Sequence, residues 1–189
     1  MRMLLTALLV AFAGPAASQT GQPPGQVPAP KTKIEAFTGT SGSVVIKGYT
    51  DVGQLDGGSI EVTAMTFRNP NDKQQTSGLA ISVKDARNPA YNGSKRSFVD
   101  YDEIQGLLEG IKYISSSKKD VTKLQFFETS YSTRGDLRLV TFNDGAGNIS
   151  ATVDAGPSYS KAQTFVSLGQ LSAFAALIES GKKILDEAR

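Results

Sequence analysis

Three carboxylates lie within four residues, Asp100, Asp102 and Glu103, and they are the nearest this chain comes to a catalytic constellation. Such a group could hold a divalent cation or work as a paired general acid and base. It stands out because so much else is missing: the 189 residues include no His and no Cys. That removes Ser-His and Cys-His nucleophile systems, imidazole- or thiolate-ligated metals and haem held by His. Carboxylate chemistry, a Ser-Lys pair, or Tyr and Arg as electrostatic helpers are what remain. The same acids also spell a structural device. In Asp100-Tyr-Asp-Glu103 the first side chain can accept from an unpaired helix N–H, Glu103 can close a capping box, and Asp102 complements the positive end of the helix dipole. Ser167-Leu-Gly-Gln170 repeats the box without charge, which a duplicated catalytic site would not do. The capping reading is therefore the stronger one, and no catalytic, cofactor-binding or metal-ligating residue is assigned.

Other short motifs read as turns. Asn143-Asp-Gly-Ala-Gly-Asn148 lacks the alternating oxygens and terminal Glu of an EF-hand loop, and it reads first as a hairpin turn. Arg134-Gly135-Asp136 spells an integrin-type tripeptide, yet Gly-Asp between two strand-like runs is a turn signal in its own right. Asn92-Gly-Ser94 and Asn148-Ile-Ser150 satisfy the glycosylation pattern, which has meaning only in a host with an endoplasmic reticulum. Lys84 and Arg87, Lys95-Arg96 and Lys118-Lys119 are grouped cations beside turns or helix ends, where solvated charge is ordinary.

The two boxes point to an internal duplication. Behind each, apolar residues recur at the same offsets: Ile104, Leu107, Leu108 and Ile111 after the first, Leu171, Phe174, Ala175 and Ile178 after the second. Phe98-Val99 and Phe165-Val166 precede them, so each Val can staple onto Ile104 or Leu171. Four strand-like runs come before each helix. The first unit reads as strands over Ser43–Tyr49, Ser59–Arg68, Leu79–Asp85 and Lys95–Val99, a longer loop over Asn69–Ser77, and a helix from Tyr101 to about Ser115. The second reads as strands over Lys123–Ser132, Leu137–Asn143, Asn148–Asp154 and Ala162–Val166, and a helix from Leu168 to about Glu187. Short Gly-bearing connections require antiparallel neighbours. The fold class is thus α+β: two ββββα repeats, each a four-stranded antiparallel sheet followed by one amphipathic helix, packed as one domain. That domain is expected over 33–189, with repeats at 43–118 and 122–188. Both faces of the second unit's first strands carry bulky groups. Phe127, Tyr131 and Phe142 are taken as one surface, either the contact between units or an exposed binding face.

This tandem order, running from Ser43 to the C-terminus, resembles the PUR and Whirly type of fold, in which two such units pack together and the sheets hold single-stranded nucleic acid. The resemblance implies a shape. No residue motif of those families recurs here, so it implies no binding residues.

The N-terminus sets the compartment. Arg2, the apolar run Leu4–Ala13, Gly14-Pro15 and the small residues Ala16 and Ser18 read as a secretory signal peptide over 1–18, cleaved before Gln19. Residues 19–32, with Pro23, Pro24, Pro28 and Pro30, read as a Pro-rich linker. Without Cys there is neither a lipoprotein anchor nor a disulfide framework, so the core must hold the domain together. A periplasmic or secreted location follows as an expectation, with no transmembrane segment. A formal net charge of +2 shows no basic footprint and argues against nucleic acid as partner. The leading function is an exported, non-catalytic binding or scaffold protein with no cofactor. Its partner would be a protein or small ligand, and a homo-oligomer stays open. The alternatives are a single-stranded nucleic acid or polyanion binder, which requires a steep loss of affinity with salt, and a carboxylate-based envelope hydrolase.

Overall fold

A computed structural model describes residues 29–87 and 93–189. The signal peptide, the linker up to Pro28 and Asn92 lie outside the described residues.

The first sheet runs β1 (Ile46–Leu55), β2 (Ile60–Arg68), β3 (Gln75–Lys84) and β4 (Ser94–Asp100), each antiparallel to the next. A 3-10 turn over Tyr101–Glu103 leads into helix α2 (Ile104–Ser115). The second sheet repeats the order with β5 (Glu128–Ser132), β6 (Arg138–Asn143), β7 (Ile149–Ala155) and β8 (Ala162–Val166), and α3 (Leu168–Glu187) closes the chain. The α+β class and the duplication are therefore both present. Among the described residues no helix is long and apolar enough to cross a membrane.

Three local differences from the sequence reading have physical causes. A short helix, α1 (Lys33–Thr38), stands at the domain's start. Its capping box is written in Thr32 and Glu35: the Thr32 hydroxyl accepts from the Glu35 N–H at 3.0 Å, and Glu35 accepts from the Thr32 N–H at 3.0 Å. β1 extends past Tyr49 because a bulge at Val52 absorbs the register shift between Asp51 and Gly53. β5 starts only at Glu128, not Lys123, because the Asn143 side chain replaces the ladder beyond it. Its amide donates to the Gln125 carbonyl at 2.9 Å and accepts from the Phe127 N–H at 2.7 Å.

Alternation decides what each sheet buries. Ile60, Val62 and Ala64 of β2, Leu79, Ile81 and Val83 of β3 and Val99 of β4 line one face of the first sheet. Leu137 and Leu139, then Ala151, Val153 and Ala155, line the matching face of the second. Both join one core with α2 and α3, and the sheets meet where β3 and β4 approach β7 and β8. The helices are exchanged. α2 follows the first sheet yet packs on β5 and β6, while α3 follows the second sheet yet packs on β1, β2 and β3; the two helices also pack on each other.

Glycines make the exchange close-fitting. Gly106 and Gly110, one turn apart on α2, present bare backbone to Tyr131 of β5; a Cβ at Gly110 would lie 2.5 Å from the Tyr131 ring. On α3, a Cβ at Gly181 would lie 2.7 Å from Leu79. The outer face of the first sheet is covered separately by α1, where Ile34 packs on Met65, Phe67 and Ala80.

Gly110→Ala tests the close approach. In an open helix the change stabilises by about 1 kcal/mol. Here the methyl meets the Tyr131 ring, and urea unfolding is expected to show a loss of about 1–3 kcal/mol. That loss disappears in a Tyr131→Ala background.

Candidate functional site

The three carboxylates of the sequence cluster converge on one cation from the other unit. Arg134 lies in the β5–β6 turn and reaches back across the junction. Its backbone N–H donates to Glu103 at 2.9 Å, its guanidinium donates to Asp102 at 2.9 Å, and the same group stands 3.2 Å from the second Glu103 oxygen and 3.5 Å from Asp100. Asp100 does not cap its own helix, which corrects the first of the two boxes. Its fully buried carboxylate instead accepts the backbone N–H groups of Lys33 at 2.8 Å and Ile34 at 3.2 Å, so it caps α1 in trans. The cause is the chain path: β4 enters a 3-10 turn before α2, and the carboxylate faces the exposed donors at the start of α1. The Ser167 box forms as read: its hydroxyl accepts from the Gln170 N–H at 3.1 Å, and Gln170 accepts from the Ser167 N–H at 2.7 Å.

Electrostatics here serve cohesion. Partial burial works against the charge on Asp102, but the Lys33 hydrogen bond and the Arg134 charge outweigh it and hold that carboxyl below the usual range. Desolvation opposes the Arg134 charge too, and its acidic neighbours more than restore it. Every acid of the cluster is thus engaged, and among the described residues no group of His, Cys, Asp or Glu is placed to hold a metal ion. Asp136, the third letter of the tripeptide, pairs with Lys31 at 2.7 Å. Gly135 is seated so closely that a Cβ would lie 2.0 Å from the Phe98 carbonyl oxygen. The tripeptide is a turn whose two charged side chains are both spoken for inside the fold.

A second clasp ties the same units. Asp85, just after β3, accepts from the Arg87 guanidinium at 2.9 Å through each of its oxygens, and Arg87 donates onward to the Lys161 carbonyl at 2.7 Å. The Ala86 N–H donates to the Gln163 carbonyl at 2.9 Å. The Arg87 hydrogen bond, against some desolvation, holds Asp85 down at about 2.

The aromatic trio is not brought together. Tyr131 pairs across the ladder with Leu139 on the core-facing side of the second sheet, whereas Phe142 pairs with Glu128 on the opposite side. Tyr131 lies against α2, where burial pushes its hydroxyl above the ordinary value and Glu103 and Glu109 push the same way. Phe127 is buried. Only Phe142 reaches the outer face.

That outer face holds a residue the sequence reading passed over as a staple neighbour. Phe165 of β8 lies opposite Thr152, on the same side as Phe142, and is 56 % exposed. Between them run Val140 and Thr152, both buried beneath their neighbours, and half-buried Ser150, while Leu124 and Phe126 stand exposed on the segment that Asn143 holds along the end of β6. The signal was available in period-two alternation: Phe165 alternates with Thr164 and Val166, both buried. Charge on the face is internally paired, Arg138 with Glu128 at 2.6 Å and Lys161 with Asp154. Elsewhere, a cleft of about 460 Å³ opens beside Lys33, Arg68, Tyr101, Asp102 and Arg189, with Arg189 stacked 4.0 Å from the Tyr101 ring centre. Its single acid, Asp102, is already tied to Lys33 and Arg134.

Comparison with protein-family models, curated proteins and solved structures gives no match to this chain.

Two stability measurements follow from the junction. Asp100→Ala leaves two α1 donors and part of Arg134 without a partner and is expected to cost about 3 kcal/mol in urea unfolding. Asp85 binds its proton less tightly in the folded chain than unfolded, where the value is near 3.8. Its contribution is therefore complete above about pH 4 and is lost as pH falls through about 2. Asp85→Asn should flatten the fall in stability over that interval while lowering stability at neutral pH.

Proposed function

We propose that this is an exported, non-catalytic binding module that works through the open outer face of its second sheet, and that its partner is a protein presenting an uncharged, apolar surface. The observation that carries this reading is an asymmetry between the duplicated units. On the outer face of the first sheet α1 covers Met65, Phe67 and Ala80, whereas among the described residues no helix lies on the outer face of the second, where exposed Phe165 stands with half-buried Phe142. Apolar exposure of this kind, rimmed by Ser130, Ser150 and Gln163, is how binding surfaces are built on sheets. Among the described residues, Arg138 of β6 and Lys161 just ahead of β8 are each paired with a neighbouring acid, which favours a neutral protein surface over a polyanion. The apolar run Leu4–Ala13 and the small residues at Ala16 and Ser18 support export. The tandem ββββα order supports reading the shape as one of the PUR and Whirly type.

Phe165→Thr removes the ring and keeps a good strand former. The full chain and this variant are each immobilised and exposed to the native envelope fraction at low and high salt. A protein held by the parent at both salt concentrations, and held roughly tenfold or more weakly by the variant at an unchanged melting temperature, supports the reading. Identical retention by the two chains, or salt-labile nucleic acid as the sole retained species, overturns it.

A further inference from the structure

The free edge of the first sheet carries a pattern that matches itself. β1 pairs with β2 on one side only, and among the described residues no strand lies along its other side. Ile46 to Asp51 are all exposed, Tyr49 at 66 %. This is a regular, unpaired row of N–H and C=O groups ending at the Val52 bulge.

Symmetry restricts how two such edges can meet. In an antiparallel ladder, directly opposed residues alternate between hydrogen-bonded and non-hydrogen-bonded pairs. A two-fold axis exchanges the partners of every pair, so both must be of one kind, and the axis must pass through a residue facing its own copy. Centring on Lys47 or on Asp51 sets like charges against each other, which is destabilising. Centring on Gly48 or Thr50 leaves both charges opposite uncharged residues. Centring on Tyr49 puts Lys47 opposite Asp51 of the second copy, twice over, with Gly48 opposite Thr50 between them.

The side chains are already aligned for this register. Lys47, Tyr49 and Asp51 share the outer face of the sheet, opposite Phe67, Met65 and Thr63 of β2. Lys47 lies 5.2 Å above the Tyr49 ring, and the Thr63 hydroxyl holds Asp51 at 3.2 Å. Two Tyr49 rings at the axis would extend the apolar strip that Met65 and Phe67 begin under α1.

We propose that β1 is a homodimer edge: two copies of the chain pair antiparallel about Tyr49 and join their first sheets into one eight-stranded sheet, with Lys47 of each copy facing Asp51 of the other. The pairing covers Lys47 to Asp51 and leaves the outer face of the second sheet free, so it is independent of the binding role proposed above.

Sedimentation equilibrium on the full chain, recovered from an exporting host, reads the assembly directly. Expected are a concentration-dependent dimer, a dimer weakened about ten- to a hundredfold by either Lys47→Asp or Asp51→Lys, and recovery of the parent affinity in the doubly swapped chain. Circular-dichroism melting checks that each variant folds. Lys47→Asp, at a side chain that among the described residues has no hydrogen bond or ion pair and lies only over the Tyr49 ring, decides the matter if Asp51→Lys does not fold. Hydrogen exchange supplies a second reading, with amides of Gly48–Asp51 gaining protection as concentration rises. A monomer at all concentrations, a dimer indifferent to the single swaps, or a double swap that restores nothing overturns the proposal.

Discussion

The exchange of helices between the two units is the constraint on which the rest of this structure depends. A four-stranded sheet has to bury one apolar face, and here each sheet is closed by the helix that the other unit contributes. Neither ββββα unit could bury Leu79 and Ile81, or Leu137 and Leu139, on its own, so the core forms once for the whole domain. Fully buried Phe174 and Leu171 on α3, and Ile104, Leu107 and Ile111 on α2, meet in that core, each worth about 1.5–3 kcal/mol. The glycine seats are consequences. A helix arriving from the opposite unit must come close enough to exclude water, and Gly106, Gly110 and Gly181 permit the approach.

Polar contacts then set the relative position of the units. Burial of apolar surface is non-directional and would tolerate sliding. Arg134 gathered among Asp100, Asp102 and Glu103, and Arg87 between Asp85 and the Lys161 carbonyl, are directional. Asp100 is the most consequential, because one buried carboxylate links α1, the end of β4 and the β5–β6 turn. The three acids that lie side by side in the sequence form the joint that fastens the two units and α1 together.

The same construction distributes the exposed surface unequally. α1 covers Met65, Phe67 and Ala80 on the outer face of the first sheet and leaves its long edge strand bare, while the second sheet keeps a short edge and a face without a helix among the described residues. A duplicated sequence thus yields two non-equivalent surfaces, and the difference traces to a six-residue helix ahead of only one repeat. Much of this was legible beforehand. Alternation in Ile60–Arg68 and Arg138–Asn143, the Gly-bearing turns and the Ser167 box all act over a few residues, and all appear where they were expected. The Thr32–Glu35 box is equally written in the residues, at the end of the Pro-rich segment.

What the sequence determined by itself is the local order: eight strands and two long helices in a repeated series, antiparallel neighbours, and the helix start at Ser167. These rest on hydrogen bonds and side-chain periodicity between residues close in the chain. Tertiary structure alone decided which helix covers which sheet, that Tyr131 faces the core while Phe142 faces out, and that the Asp100 carboxylate serves α1 rather than α2. The reason is that apolar stripes of similar size are interchangeable as partners and a carboxylate accepts from any nearby donor, so those choices wait on what the folded chain brings within reach.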